Sequence, residues 1–492
     1  MVFFSQFLAT AGLFADYVRT CPLRFTSPNA PAVHDLLGTI TLAILAGQNR
    51  YAHVTALRVD TVNPQGLGMT SVCSEDSVRR AFAGAEAAAC ELWQTMALEK
   101  SWRPALRQPW IMDLDATVKP IYGRQEGAQI GYNPHKPGRP SHAYHTLFVR
   151  GLRLVLDVEV RPGKQHAAPP RRENLWRVWD RLPQASRPWL ICGDASYGHE
   201  GLLAECETRG QKYLFRLRQS PGVKQLVQTL ERQSGWQEVG HGYSAAEGRL
   251  QLTGWSAKRR VLVLRRKKEY PKPEPPADHA LPWSGLMLCQ APVAYEYQVL
   301  VTNLSEERLT VAGLYRQRAD AENVYDELKN QWGWGGFTTK DLLRCQVAAR
   351  NVALVYNWWS LFVRCAEPAV AREAITSRPL LLCAVGRLVA SWTPSDLAAD
   401  QHPRRSGAGA AVAHGLEFVS ERVEEHCGAV GRGRLLGTNL DEDIAPVATE
   451  SDRAPWPERL KTKPPQPHPP KKPAPRPFSN ARLSGASSNC RI

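Results

Sequence analysis

Apolar and polar positions follow three successive textures along the chain. Residues 30 to about 100 carry apolar side chains at helical spacing, most clearly in HDLLGTITLAILAGQNRY. The opening MVFFSQFLATAGLF is apolar without a basic flank, so it predicts a helix or strand pair packed on the body and not a signal peptide. Ser74, Glu75 and Asp76 read as the cap and first turn of a short helix, from which Arg79 and Arg80 project. A helix-turn-helix and a supporting helical bundle fit this region equally well.

From Pro109 the period shortens. PWIMDLDATVKPIYG predicts a strand centred on Ile111 to Thr117. A Gly-, Pro- and His-rich stretch follows, whose His135, His142 and His145 read as loop or DNA-facing residues, because no acidic or cysteine ligand stands at metal spacing beside them. TLFVRGLRLVLDVEVRPG predicts one or two strands in a hairpin. RRENLWRVWDRL predicts an amphipathic helix with Leu175, Val178, Trp179 and Leu182 inward. A short apolar run then ends at Gly193-Asp194, a helix begins within Gly198 to Glu207, and KYLFRLR supplies another strand. Residues 225 to 310 are again strand-like, and from Leu314 the helical period returns. Beyond about residue 400 the pattern fades, and residues 455–478 are a proline-rich cationic stretch unable to form a core.

Chemistry enters where polar groups interrupt these patterns. Tyr315, Arg318, Glu322 and Lys329 fall within roughly 60° of arc on one helix, at about 100° per residue, so they form one stripe. Leu314, Ala321, Val324 and Leu328 lie on a neighbouring arc and give that helix a side to bury. One carboxylate among two cations and a phenol suits phosphate, and a solvated helix face also fits the pattern. Asp113 and Asp115 sit two apart on a strand, so both face one way, and two carboxylates there call for a metal or a cation. Asp194 stands at the C-terminal tip of a buried strand, where open α/β sheets present chemistry, or else caps the next helix. Asp326 lies one turn from Glu322 and is a local alternative to it.

Composition narrows the partners. The 492-residue chain predicts two to four domains, and its 43% hydrophobic content supports an ordinary core. With 62 Lys and Arg against 47 Asp and Glu, the formal net charge is +15, which favours nucleic acid over a membrane surface. Eleven cysteines without a Cys-x2-Cys pair suit a reduced, cytoplasmic setting better than a disulfide framework. No apolar run reaches the roughly 20 residues of a membrane span.

The spacing Tyr315-x2-Arg318-x3-Glu322-x6-Lys329, with QWGWGGF and RNVALVYNWWSLFVR after it, resembles the signature helix of bacterial insertion-sequence transposases. The resemblance covers roughly residues 30 to 390 and is strongest from 313 to 364. It implies an α/β fold: an RNase H-like mixed sheet flanked by helices, interrupted by a mainly β insertion and preceded by an N-terminal helical DNA-binding domain. By the same resemblance Asp115, Asp194 and Glu322 are a catalytic Asp-Asp-Glu triad and the metal ligands, with Asp113 the alternative to Asp115. Asp115 would bridge two Mg²⁺ ions, with Mn²⁺ able to substitute, while Tyr315, Arg318 and Lys329 bind DNA phosphates. Trp236, Trp255 or Trp283 of the insertion would stack on a displaced base, and the basic run Lys258 to Lys268 would track a DNA backbone or else blunt an edge strand.

The expected organisation is an N-terminal helical domain (1–105), a first part of the catalytic core (106–222), a β-strand insertion (223–308), a second part of the core (309–395) and a low-pattern basic tail (396–492). The expected activity is cut-and-paste transposition in the bacterial cytoplasm at the nucleoid. A homodimer would hold double-stranded terminal inverted repeats and target DNA. An RNase H-like nuclease without strand transfer and a non-catalytic DNA-binding regulator are the alternatives.

Overall fold

The first hundred residues form helices that cannot bury their apolar faces alone, and they bury them against the C-terminal half of the chain. The computed structural model describes residues 1–166, 172–268, 294–366 and 372–382, all within the unit Met1–Leu435. The helices are α1 (Val2–Thr10), α2 (Leu13–Arg19), α3 (Val33–Leu45), α4 (Asn63–Gly66), α5 (Glu75–Arg80) and α6 (Ala87–Trp102). The apolar N-terminus is thus a helix pair. Ser74 caps α5 as its spacing predicts, its hydroxyl accepting a bond from the Ser77 amide at 3.1 Å. Arg79 and Arg80 pair with Asp76 of the same six-residue helix.

Strands β1 (Ile111–Pro120), β2 (Gln129–Ile130), β3 (Pro140–Val149) and β4 (Leu154–Pro162) come next, then helix α7 (Arg172–Asp180), strand β5 (Leu190–Gly193), helix α8 (Glu200–Thr208) and strand β6 (Lys212–Arg216). β3 and β4 form the expected hairpin, and Leu175, Val178, Trp179 and Leu182 are buried as expected of α7 and its end. His142 and His145, read from sequence as loop residues, are instead buried on β3, because the alternation of PSHAYHTLFV is a strand's; His135 alone is exposed.

Helix α9 (Pro221–Glu231) and strands β7 (Gln237–Glu238), β8 (Tyr243–Leu250), β9 (Arg259–Lys267) and β10 (Tyr295–Thr302) follow. These strands continue the core sheet, since β10 pairs antiparallel with β6 through Leu300↔Arg216. The sheet has ten strands in the order β2-β3-β1-β5-β6-β10-β9-β8-β7, with β4 also on β3. β1, β5 and β6 run parallel, and β3 is antiparallel to β1. Because β9 lies between β10 and β8, its basic run is not an edge strand. Arg259 is buried and bonds Glu200 and Glu207, which removes it from any DNA contact. Trp255 is buried, and Trp236 is half-buried beneath the Arg265 guanidinium, 3.9 Å from its ring centre. Trp283 and the 396–492 tail lie outside the described residues.

The chain closes with α10 (Arg308–Arg316), α11 (Ala319–Asn330), α12 (Leu342–Ala366) and α13 (Ala374–Leu382). Alternate sheet positions are buried on both faces. Ile191, Tyr213, Phe215, Val261 and Val299 join the main core. Leu190, Cys192, Leu214, Leu262 and Leu300 pack with Val311 and Ala312 of α10 on the other side. α12 lies against β4 and α6. Arg350 of α12 bonds both oxygens of Asp157 of β4, at 2.9 and 3.1 Å, and both residues are almost fully buried.

Candidate active site

Asp115 owes its position to the middle of a central strand. β1 and β5 pair in parallel from Ile111↔Leu190 to Leu114↔Gly193, and Asp115 and Asp194 each follow the last paired residue of their strand. Strands in parallel register lie about 4.8 Å apart, and where β5 ends the Asp194 carboxylate is near enough to act on that of Asp115. Gly193 has a steric reason: a Cβ there would lie 2.9 Å from the Tyr197 Cβ. The tight loop that results brings the Ser196 amide to Asp194 Oδ1 at 2.9 Å, and the next helix begins later, capped at His199.

Asp113 takes no part in this pair. Arg150 grips it with two hydrogen bonds, from Nε at 2.8 Å and Nη2 at 2.5 Å, and both side chains are buried. With both oxygens engaged, Asp113 is a structural anion. The third arm of Arg150, Nη1, donates to the Leu314 carbonyl at 2.6 Å.

That last bond splits the predicted signature helix. In an unbroken α-helix the Leu314 carbonyl would receive the Arg318 amide. Arg150 occupies it, and the Arg318 amide instead donates to Tyr315 O at 3.1 Å, a tighter turn. α10 therefore ends at Arg316 and α11 starts at Ala319, so the four-turn stripe is two helices. Tyr315 is on the first, Arg318 at the break, and Glu322 and Lys329 on the second.

The break turns Arg318 onto the sheet. Its Nη2 lies 3.0 Å from Asp115 Oδ2 and donates to Leu114 O at 3.4 Å, and neither side chain is more than 15% exposed. Burial pushes the Asp115 carboxyl up to about 6, against the pull of Arg318 and with a push from the Asp194 carboxylate. Burial also raises the Tyr315 phenol, and Arg318 draws it back. Lys329 is half-buried, which lowers its ammonium, while Asp326 and Asp115 oppose that fall.

Asp115, Asp194, Arg318, Tyr315 and Lys329 thus share one electrostatic neighbourhood. Glu322 does not enter it: its side chain is exposed, although Lys329 of the same helix does. Asp326 is exposed and bonded by Asn330 Nδ2 at 2.7 Å. Among the described residues, no group of three or more His, Cys, Asp or Glu is close enough to hold a metal ion. Of the predicted three carboxylates, Asp115 and Asp194 interact and Glu322 stands apart.

Sequence reasoning missed two buried tyrosines here. Tyr197 lies in the field of both aspartates, and Tyr325 in that of Asp115. Their signal was weak, because each reads as an ordinary core aromatic.

Residues 24–383 match the family described as transposase DDE domain group 1. No curated protein matches the chain. A cryo-EM structure of a piggyBac transposase synaptic complex with hairpin DNA aligns over 90% of this chain and 88% of its own, at 10% identity and a TM-score of 0.42.

Proposed function

The chain belongs to the transposase DDE domain group 1 family, and from that membership we propose that it is the transposase of a bacterial insertion sequence. It nicks DNA at the element ends and joins the freed 3′-hydroxyl to target DNA, acting at the nucleoid as a homodimer that holds both ends. Strands β1 and β3–β6 would be its RNase H-like core. The observation that carries the reading is the pairing of Asp115 on β1 with Asp194 just past the end of parallel β5, with Arg318 against Asp115.

The pair suits divalent cations. Two oxygen donors side by side, one with its acidity weakened by burial and by the other, gain most from a hard cation. Bound there, two Mg²⁺ ions, or Mn²⁺ in their place, would supply the charge that activates the attacking oxygen and steadies the leaving one. Asp115 would hold both and Asp194 one. Glu322 would complete the set by turning inward from α11. Arg318, released from Asp115, would grip a phosphate through two parallel hydrogen bonds, with Tyr315 and Lys329 beside it. Asp115 must be ionised to bind metal, so metal affinity should fall as pH drops below about 6.

The test uses a labelled DNA fragment bearing the element end, with Mg²⁺, and the wild type beside Asp115→Ala, Asp194→Ala, Glu322→Ala and Asp326→Ala. End-specific nicking and joining should be lost in the first three variants while DNA binding persists, and kept in Asp326→Ala. Cutting without joining would indicate a nuclease. Binding by folded wild type without cutting would indicate a regulator.

A further inference from the structure

Beyond Asp115, alternate residues of β1 point along the same face, and Thr117 and Lys119 lead from the aspartate pair into an adjoining cavity that shares Lys329 with it. Its volume is about 210 Å³, far above the roughly 10–15 Å³ that a single water needs. Lys119, Lys329, Asn133 and His135 line it, with Tyr144 and Trp334 as aromatic walls. No described carboxylate lies within ion-pair distance of Lys119 or Lys329.

Two features make this a built site. Lys119 is only 5% exposed, and its ammonium meets the Tyr144 hydroxyl, at 3.3 Å, the Tyr144 ring and the Gly336 carbonyl. A buried cation faced by neutral acceptors alone is costly unless an anion joins it. Asn133 is also 5% exposed; its Oδ1 accepts the Lys136 amide at 3.0 Å, while its Nδ2 is buried without a partner. Two ammoniums and an unspent amide donor therefore border one cavity, and a single phosphate group would satisfy them together.

Four residues of strand span about 13 Å, and phosphates of one DNA strand advance about 3.4 Å per nucleotide along the axis. We propose that this cavity holds a backbone phosphate of the bound DNA strand, within about four nucleotides of the phosphate cut at Asp115. The proposal rests on the DNA-cutting reading above and adds Lys119 and Asn133 to the DNA-binding surface. It also gives β1 two tasks on one face, the chemistry at Asp115 and the grip on the strand at Lys119.

The experiment measures binding of full-length protein to an end-bearing duplex across a salt series, and thermal unfolding with and without inorganic phosphate. Lys119→Met should weaken DNA binding about 3- to 10-fold at 0.1 M salt and reduce the slope of log affinity against log salt by about 1. Unchanged affinity and slope in folded Lys119→Met would overturn the proposal. Should that variant fail to fold, the near-isosteric Asn133→Asp carries the test: a carboxylate in the cavity should repel the phosphate and weaken binding, and unaltered affinity would overturn it. If the wild type binds no DNA, the transposase reading fails first. A Lys119-dependent rise in melting temperature with phosphate would then keep an anion site but remove DNA as its occupant, and no rise would remove the site.

Discussion

At the scale of single residues, the molecule sorts its carboxylates by partner. Asp113 and Asp115 are equivalent in sequence, yet Arg150 consumes one and leaves the other beside Asp194. On α11, Glu327 is buried where Trp332 Nε1 and the Ala374 amide bond it, and Asp326 is held by Asn330, so Glu322 alone is uncommitted among the three. The buried cation at Lys119 has a measurable consequence. Burial lowers its amine from 10.5 to about 8. Between those values the unfolded chain holds a proton that the folded one lacks, so this group makes stability rise with pH from about 8 to 10.5. Below about 8 the ammonium must be buried charged, and its contribution is least favourable. Denaturant titrations at pH 7 and pH 10, taken as wild type minus Lys119→Met, should show that rise; a flat difference would mean that the amine titrates normally.

At the scale of elements, the text following the signature helix is explained by a close approach of backbones. Gly333 has φ +95°, and a Cβ on Gly336 would stand 1.5 Å from the Asn49 carbonyl oxygen. Phe337 donates its amide to that same carbonyl at 2.8 Å, and the Gly336 carbonyl receives Lys119. The turn after α11 therefore joins the α3 loop to β1. Gly336→Ala should destabilise the protein by about 1–3 kcal/mol, as overpacking does, and loosen the Lys119 cavity with it. A drop in the urea midpoint, together with weaker DNA binding, would check both consequences. The broken α10–α11 junction follows the same logic: the sequence there is good helix text, and a guanidinium from β3's end displaces one backbone bond.

At the scale of the whole molecule, the N-terminal helices share a core with α12, which packs on the sheet. Trp93 stacks on Tyr17 at 4.5 Å, Tyr17 OH donates to Asn351 of α12 at 2.5 Å, and Phe4 packs on Trp359 and Phe362. A fragment of residues 1–105 should therefore show no cooperative thermal transition by circular dichroism. A sharp transition in that fragment would mark it as an independent domain. No helix among the described residues is long and apolar enough to cross a membrane, and the described cysteines are free thiols.

Periodicity marked most of the helices and strands from 30 to 382, because burial of alternate or every third to fourth residue leaves a local signature, but it missed the first half of β3, helix α9 and the break between α10 and α11. The spacing of Tyr315, Arg318, Glu322 and Lys329 likewise singled out the stretch from α10 to α11, and the family resemblance singled out Asp115 on β1 and Asp194 just after β5. Only tertiary structure decided which carboxylate is neutralised, that β7–β10 extend the core sheet, and that Lys119 and Asn133 border one cavity. Those outcomes depend on partners distant in sequence, such as Arg150 with Leu314 or Gly336 with Asn49. Local pattern records how a residue fits its own helix or strand and carries no trace of what another part of the chain will place against it.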